Sequence, residues 1–140
     1  MLIESDLFIA YMKKEDWLKE SAIKIFRAAE EGRLTGVQAS SEVFHEICYV
    51  FSDYASLDTI LRNQARMATL ENITYIDATK EIYLSALELM NTYGVTSIFD
   101  AIYAATTLTE KVPDNTIIST DSVYEKIRGI KRIDPRKIEV

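Results

Sequence analysis

Short runs of β-branched and apolar residues alternate with longer amphipathic segments along nearly the whole chain. This alternation constrains the fold more than any other feature. Strands separated by helices are joined by right-handed crossovers, which yield an α/β architecture on a largely parallel sheet. Met1 to Phe8 reads as a first strand. Asp16 is placed to cap a helix whose Leu18, Ala22, Ile25, Phe26 and Ala29 recur at helical spacing, with Gly32 as the stop. Leu34 to Gln38 reads as a second strand, and Ser40 or Ser41 caps a helix reaching about Phe51. Residues 56–70 are predicted helical, with Leu57, Ile60, Leu61 and Ala68 on one face. Ile73 to Ile76 is a strand. Residues 79–93 form an amphipathic helix through Ile82, Ala86, Leu89, Met90 and Tyr93, ended by Gly94. Ser97 to Leu108 is apolar on most faces, which predicts a buried helix. Pro113-Asp114-Asn115 is a turn, Thr116 to Ser119 a strand, and Arg132-Ile133 a last short strand.

At 140 residues the chain suits one domain, 1–140, with no internal repeat or linker. No run of about 18 apolar residues exists, and the first residues lack the pattern of a secretory leader. The expectation is a cytoplasmic protein that makes no use of a membrane. Cys48 is the sole cysteine and His45 the sole histidine. That excludes an internal disulfide, a thiolate metal cage and catalysis by paired histidines, so chemistry must run mainly on carboxylates. His45 and Cys48 read as structural, and Trp17, Tyr103 and Tyr124 as packing residues.

The net charge of −6 argues at first against nucleic acid. It is unevenly distributed, however. Residues 122–140 carry Lys126, Arg128, Lys131, Arg132, Arg136 and Lys137 against Glu125, Asp134 and Glu139, a balance of +3, which leaves −9 on the first 121 residues. A cation site would neutralise part of that negative charge. The basic stretch is either a solvated tail or a surface that touches substrate.

In a parallel sheet, ligands bind outside the carboxyl ends of the strands, and the acids predicted there carry the functional argument. Glu4 and Asp6 lie at the end of the first strand, spaced so that an extended chain projects both to one side. Glu46 lies in an apolar helix and is either partly buried or on a polar face with Glu42, His45 and Tyr49. Asp100 fits a capping pattern with Ser97 at the start of the most apolar helix. Asp121 follows a strand and is placed to cap a short helix that Gly129 ends. Each acid has an ordinary structural explanation. Gathered at one end of a sheet, the same acids form an oxygen-only donor set suited to Mg²⁺ or Mn²⁺.

Four motifs carry a family resemblance: Met1-Leu-Ile-Glu-Ser-Asp-Leu-Phe-Ile-Ala10, Ala39-Ser-Ser-Glu-Val-Phe-His-Glu-Ile47, Ser97-Ile-Phe-Asp-Ala-Ile-Tyr-Ala-Ala105 and Ile118-Ser-Thr-Asp121. In order and spacing the chain resembles a PIN domain of the VapC-like group, from Met1 to about Pro135. The best register sets Glu4, not an aspartate, at the first acid position. Ser5 then matches the Thr/Ser of the motif, and Asp6 the next polar position or, alternatively, the first acid itself. The resemblance implies a three-layer α/β/α sandwich with a parallel sheet of four or five strands. It implies an Mg²⁺- or Mn²⁺-dependent ribonuclease acting through Glu4, Asp6, Glu46, Asp100 and Asp121, with Ser5 and Thr120 orienting the carboxylates. It also implies an RNA substrate, a homodimer and, for a toxin, a small antitoxin partner.

Two rival readings remain at this point. One is a PIN-like binding module whose site is weakened by Glu4. The other is a phosphatase of the haloacid dehalogenase type, suggested by Glu4-Ser5-Asp6. That chemistry needs a nucleophilic aspartate at the first position, and no suitably placed lysine is evident.

Overall fold

The computed structural model describes residues 1–140 and follows the predicted alternation. Strand β1 (Leu2–Ile3) leads into helices α1 (Ser5–Met12) and α2 (Lys19–Glu30). Strand β2 (Val37–Ser40) precedes α3 (Glu42–Phe51) and α4 (Leu57–Ala68), and β3 (Ile73–Ile76) precedes α5 (Lys80–Tyr93) and α6 (Ile98–Thr107). Strand β4 (Thr116–Ile118), a 3-10 turn (Ser122–Lys126), strand β5 (Lys131–Ile133) and a final 3-10 turn (Pro135–Lys137) complete the chain. All five strands are parallel, in the order β3-β2-β1-β4-β5, with six helices flanking the sheet. The expected α/β/α class with a four- or five-stranded parallel sheet is therefore the observed one.

This order matters for function. The chain builds outward from β1 through β2 to β3, then returns to the other side of β1 for β4 and β5. The strand order reverses between β1 and β4, where crossovers diverge and leave a crevice. Ile3 pairs with Ala39 on one side and Ile118 on the other, so the carboxyl ends of three strands lie level. The core over this sheet is a single apolar cluster in which Leu2, Ile3, Phe8, Ile102, Ile117 and Ile118 are fully buried or nearly so. Helix α6 is its centrepiece. Seven of its ten residues are buried, as its lack of a polar face predicts.

Several local expectations are corrected. Met1 to Phe8 is not one strand: β1 stops at Ile3 and α1 begins at Ser5. A short apolar run suits a strand or a buried helix equally, and tertiary packing decides for the helix. In α1, Leu7, Phe8 and Ala10 are buried, and the Phe8 ring lies 4.9 Å from that of Phe26 on α2. The second strand is Val37–Ser40, not Leu34–Gln38. Gly36, at φ +67°, supplies the left-handed turn that sets its start. Asp16 accepts from the Leu18 amide at 2.9 Å and so caps the turn before α2, not its first helical residue. On α4, Ile60 and Met67 are buried while Leu57 and Leu61 are exposed, so the predicted stripe covers more of the helix than the core does. On α5, Thr79 caps the start and Gly94, at φ +67°, ends it as predicted.

Candidate active site

Carboxylates gather beyond the carboxyl ends of β1 and β4. Glu4 is the first residue beyond β1, and its backbone amide donates to Ile118 O at 3.1 Å, which ties it to the end of β4. Its side chain is only 5% exposed. Ser5 Oγ donates to one carboxylate oxygen at 2.6 Å, and Ser119 Oγ donates to the other at 3.1 Å. Burial raises its pKa well above the ordinary value, and neighbouring Asp6, Glu46 and Asp100 push it the same way. Glu4 is thus a carboxylate that the fold has desolvated and held without a counter-charge.

Asp6 stands in the first turn of α1, where an acid also meets the positive end of the helix dipole. The expectation that Glu4 and Asp6 share one side of an extended strand is therefore wrong in mechanism, since the chain has already turned helical. It is right in outcome, because each acid still shifts the other. Thr120 holds Asp6 Oδ2 with both its amide and its hydroxyl, each at 2.8 Å. Asp6 Oδ1 is buried and has no hydrogen-bond partner. Burial again raises the pKa, partly offset by the Thr120 bonds.

Asp100 enters from the start of α6. Ser97 Oγ accepts from the Asp100 amide at 3.4 Å, so the predicted cap forms. That bond uses the amide of Asp100 and leaves its carboxylate for the crevice. Burial and then the charges of Asp121, Glu46 and Asp6 push Asp100 up to about 6. Glu46 projects from α3, half-buried, and accepts a hydrogen bond from the Tyr103 hydroxyl of α6. Asp121 is exposed at the rim and accepts from the Val123 amide at 2.8 Å, capping the 3-10 turn with one oxygen.

The fold thus brings all five acids together, graded from the enclosed Glu4 to the exposed Asp121. Every ion pair of the protein lies elsewhere: no lysine or arginine neutralises any of the five. They are gathered without converging, for no three of them form a ready-made cage. Burying acids without a positive partner costs free energy, and a structural explanation would require compensation that is missing here. The oxygen-only donor set and the unpartnered, buried Asp6 Oδ1 fit a hard divalent cation such as Mg²⁺ or Mn²⁺.

Ser5 and Thr120 each contact an acid as expected. Three further residues escaped sequence reasoning. Ser119 belongs to the site through Glu4. Tyr103 and Tyr124, read as packing residues, are fully buried, yet their hydroxyls point toward the acids. Tyr124 Oη stands near Glu4 and Asp100 without a hydrogen-bond partner. Their signal was a phenol in a segment where phenylalanine would pack equally well. Glu42 was one member of the polar face considered as an alternative for Glu46. It is instead buried and bonded to His45 Nδ1 at 2.7 Å and Tyr83 Oη at 2.9 Å. His45 is exposed, its ring edge-on to Phe99.

Two of the six basic residues of the last stretch are occupied with internal bonds. Arg132 pairs with Glu125 and donates to Ser119 O at 3.0 Å, and Arg136 pairs with Asp134 beneath the face of Trp17.

Comparison with known proteins agrees with this fold. The family model described as PIN domain matches residues 1–130. No curated protein sequence matches the chain. Among solved structures, VapC20 of Mycobacterium tuberculosis, described as a sarcin–ricin loop cleaving toxin, superposes with a TM-score of 0.71 at 13% identity over 89% of this chain and 92% of that one. VapBC2 of Rickettsia felis, bound to a DNA fragment from its promoter, gives 0.69 at 15% identity over 94% and 96%. A toxin–antitoxin complex from Klebsiella pneumoniae gives 0.64 at 19% identity over 98% of both chains. At these identities the likeness is one of fold.

Proposed function

The chain belongs to the PIN-domain family, and from that premise we propose that it is a single-domain, metal-dependent endoribonuclease, the toxin of a toxin–antitoxin pair. The observation that carries this reading is the set of five acids at the switch point of the sheet, with no positive side chain to neutralise them. Glu4, Asp6, Glu46, Asp100 and Asp121 would hold Mg²⁺ or Mn²⁺. When bound, the cation supplies charge neutralisation for the phosphodiester and a more acidic water as nucleophile.

The residues of the chain do the positioning. Ser5 and Ser119 hold both oxygens of Glu4, which fixes the deepest carboxylate against the strand ends. Thr120 occupies Oδ2 of Asp6 and leaves Oδ1 open. Asp100, at about 6, is mostly ionised at neutral pH and ready to act as a ligand. The exposed Asp121 faces the side from which a polyanion approaches. A net charge of −6 makes unaided RNA binding unfavourable, so a cation is also what reconciles this surface with its substrate. An antitoxin partner is part of the proposal, supported by the toxin–antitoxin complexes among the structural neighbours, and a homodimer is proposed from the family resemblance alone. A cytoplasmic site of action belongs to it too. No helix is long and apolar enough to cross a membrane.

The test is calorimetric titration with Mn²⁺ of the wild type and D100N, followed by cleavage of a panel of RNAs. Binding and cleavage in the wild type, both lost in D100N, would support the reading. Cleavage by D100N at the wild-type rate would remove Asp100 from the site.

One observation favours a second reading, a PIN-like binding module without cleavage. Both oxygens of Glu4 are already engaged by serines, and glutamate reaches one methylene further than aspartate. Displacements of about 1 Å are costly in catalysis. Cleavage that appears only in E4D would favour this module; cleavage by the wild type would exclude it.

A further inference from the structure

Helix α6 delivers Asp100 to the crevice and, three residues later on the same side of the helix, Tyr103. The Tyr103 ring is completely buried, so its packing needs are those of phenylalanine. A buried hydroxyl adds a desolvation cost unless it finds a partner. Its partner here is Glu46 Oε2, reached across the junction of α6 with α3. Glu46 makes no other hydrogen bond or ion pair. Burial, then the charge of Glu46 and, more weakly, that of Glu4 push the Tyr103 pKa up. The phenol is therefore held protonated and stands between the first and second acids.

We infer that Tyr103 is a positioning residue of the acid cluster: by donating to Oε2 it fixes the rotamer of Glu46 and leaves Oε1 turned to the crevice. This inference rests on the cation-binding reading above and deepens it. A half-buried glutamate on a helix samples several rotamers. With one oxygen pinned, the carboxylate enters the cluster already oriented, and orienting groups of this kind typically carry a roughly 10- to 100-fold effect on metal affinity. The bond also couples α3 to α6, so the second and third acids move as one unit. Nothing in the argument requires Tyr103 to change its protonation or to touch substrate.

The experiment is a double-mutant cycle on Mn²⁺ affinity, measured by calorimetry on wild type, Y103F, E46Q and Y103F/E46Q. Thermal unfolding serves as the control for packing. Y103F retains the ring and should unfold close to the wild-type temperature while binding Mn²⁺ about 10- to 100-fold more weakly. In the E46Q background the same change should have little further effect, because the group that Tyr103 orients is no longer a carboxylate. Wild-type affinity in Y103F would overturn the inference while leaving the cation site standing. A loss of the same size in both backgrounds would also overturn it, since Tyr103 would then act independently of Glu46. A wild type that binds no Mn²⁺ would overturn the cation reading and this inference together.

Discussion

The two ends of the sheet are both polar, and they treat charge in opposite ways. At the amino end the Met1 ammonium donates to Gly36 O at 2.8 Å and lies 3.3 Å from Asp114, and Gln38 Nε2 donates to Lys111 O at 2.5 Å. The Met1–Asp114 pair there is near solvent. At the carboxyl end, five acids share a crevice without a single cationic side chain, and two buried oxygens, Asp6 Oδ1 and Tyr124 Oη, have no partner. The largest cleft, about 510 Å³, lies at the amino end, lined by Gly36, Gln38, Asn72, Lys111 and Asp114 among others. Size would place the site there by default. The uncompensated acids point to the other end, where the site is proposed, and that criterion is the better one here. A cleft can be an accident of loop packing, whereas uncompensated burial of acids persists only where something offsets it.

The sharpest way to break this comparison is D100N. It should reduce Mn²⁺ affinity and RNA cleavage by more than the roughly 100-fold typical of residues that merely orient ligands. In the cation-free protein it should raise the thermal unfolding midpoint, because it removes a repelled carboxylate. A D100N protein that is both inactive and less stable would mean that Asp100 is part of the scaffold.

Next in size is the effect of the cation itself. If the acids form one site, Mn²⁺ at about 100 times its dissociation constant should stabilise the wild type by about 2.7 kcal/mol, and chelation should reverse the gain. An unchanged denaturation curve would break the comparison at its root.

The pH dependence follows from Asp100, whose pKa rises from the ordinary 3.8 to about 6 through burial and the neighbouring acids. An acid raised in the folded state binds more protons folded than unfolded across that interval, so stability falls as pH rises from about 4 to about 6. Glu4 and Asp6 shift in the same direction. The cation-free protein should therefore unfold at a higher temperature at pH 5 than at pH 7, and D100N should shrink the difference. Greater stability at pH 7 would reverse the sign and contradict the burial of these groups.

The smallest effect is expected at the amino end. D114N breaks an exposed pairing with the Met1 ammonium and should cost at most about 1 kcal/mol in denaturant unfolding, with Mn²⁺ affinity unchanged. A change in Mn²⁺ affinity would show that the two ends are not independent.

Much of this was legible beforehand, for identifiable reasons. Ile73–Ile76 and the helix between Thr79 and Gly94 carry strong local signals, a β-branched run in one case and amphipathic spacing with a glycine stop in the other. These are read without knowledge of the rest of the fold. The four acid motifs could be located for the same reason, since they sit at element ends where strand, turn and cap chemistry coincide. The first strand was misread because Leu7 and Phe8 resume the apolar run of Leu2 and Ile3, and the packing of Phe8 on Phe26 of α2 that accompanies the helix exists only in the fold. The face of α4 was misread because Leu57 and Leu61 have helical spacing but no core to meet.

The amino-acid sequence by itself thus determined the alternation of elements, the parallel sheet and the identity of the acids, because each depends on residue type and local spacing. Tertiary structure alone decided that Glu4 is enclosed by Ser5 and Ser119, that Thr120 leaves one oxygen of Asp6 open, and that Tyr103 reaches Glu46 across 57 residues. Burial and partnership belong to pairs of residues far apart in the chain, and such pairs exist only once the strand order has brought β4 beside β1.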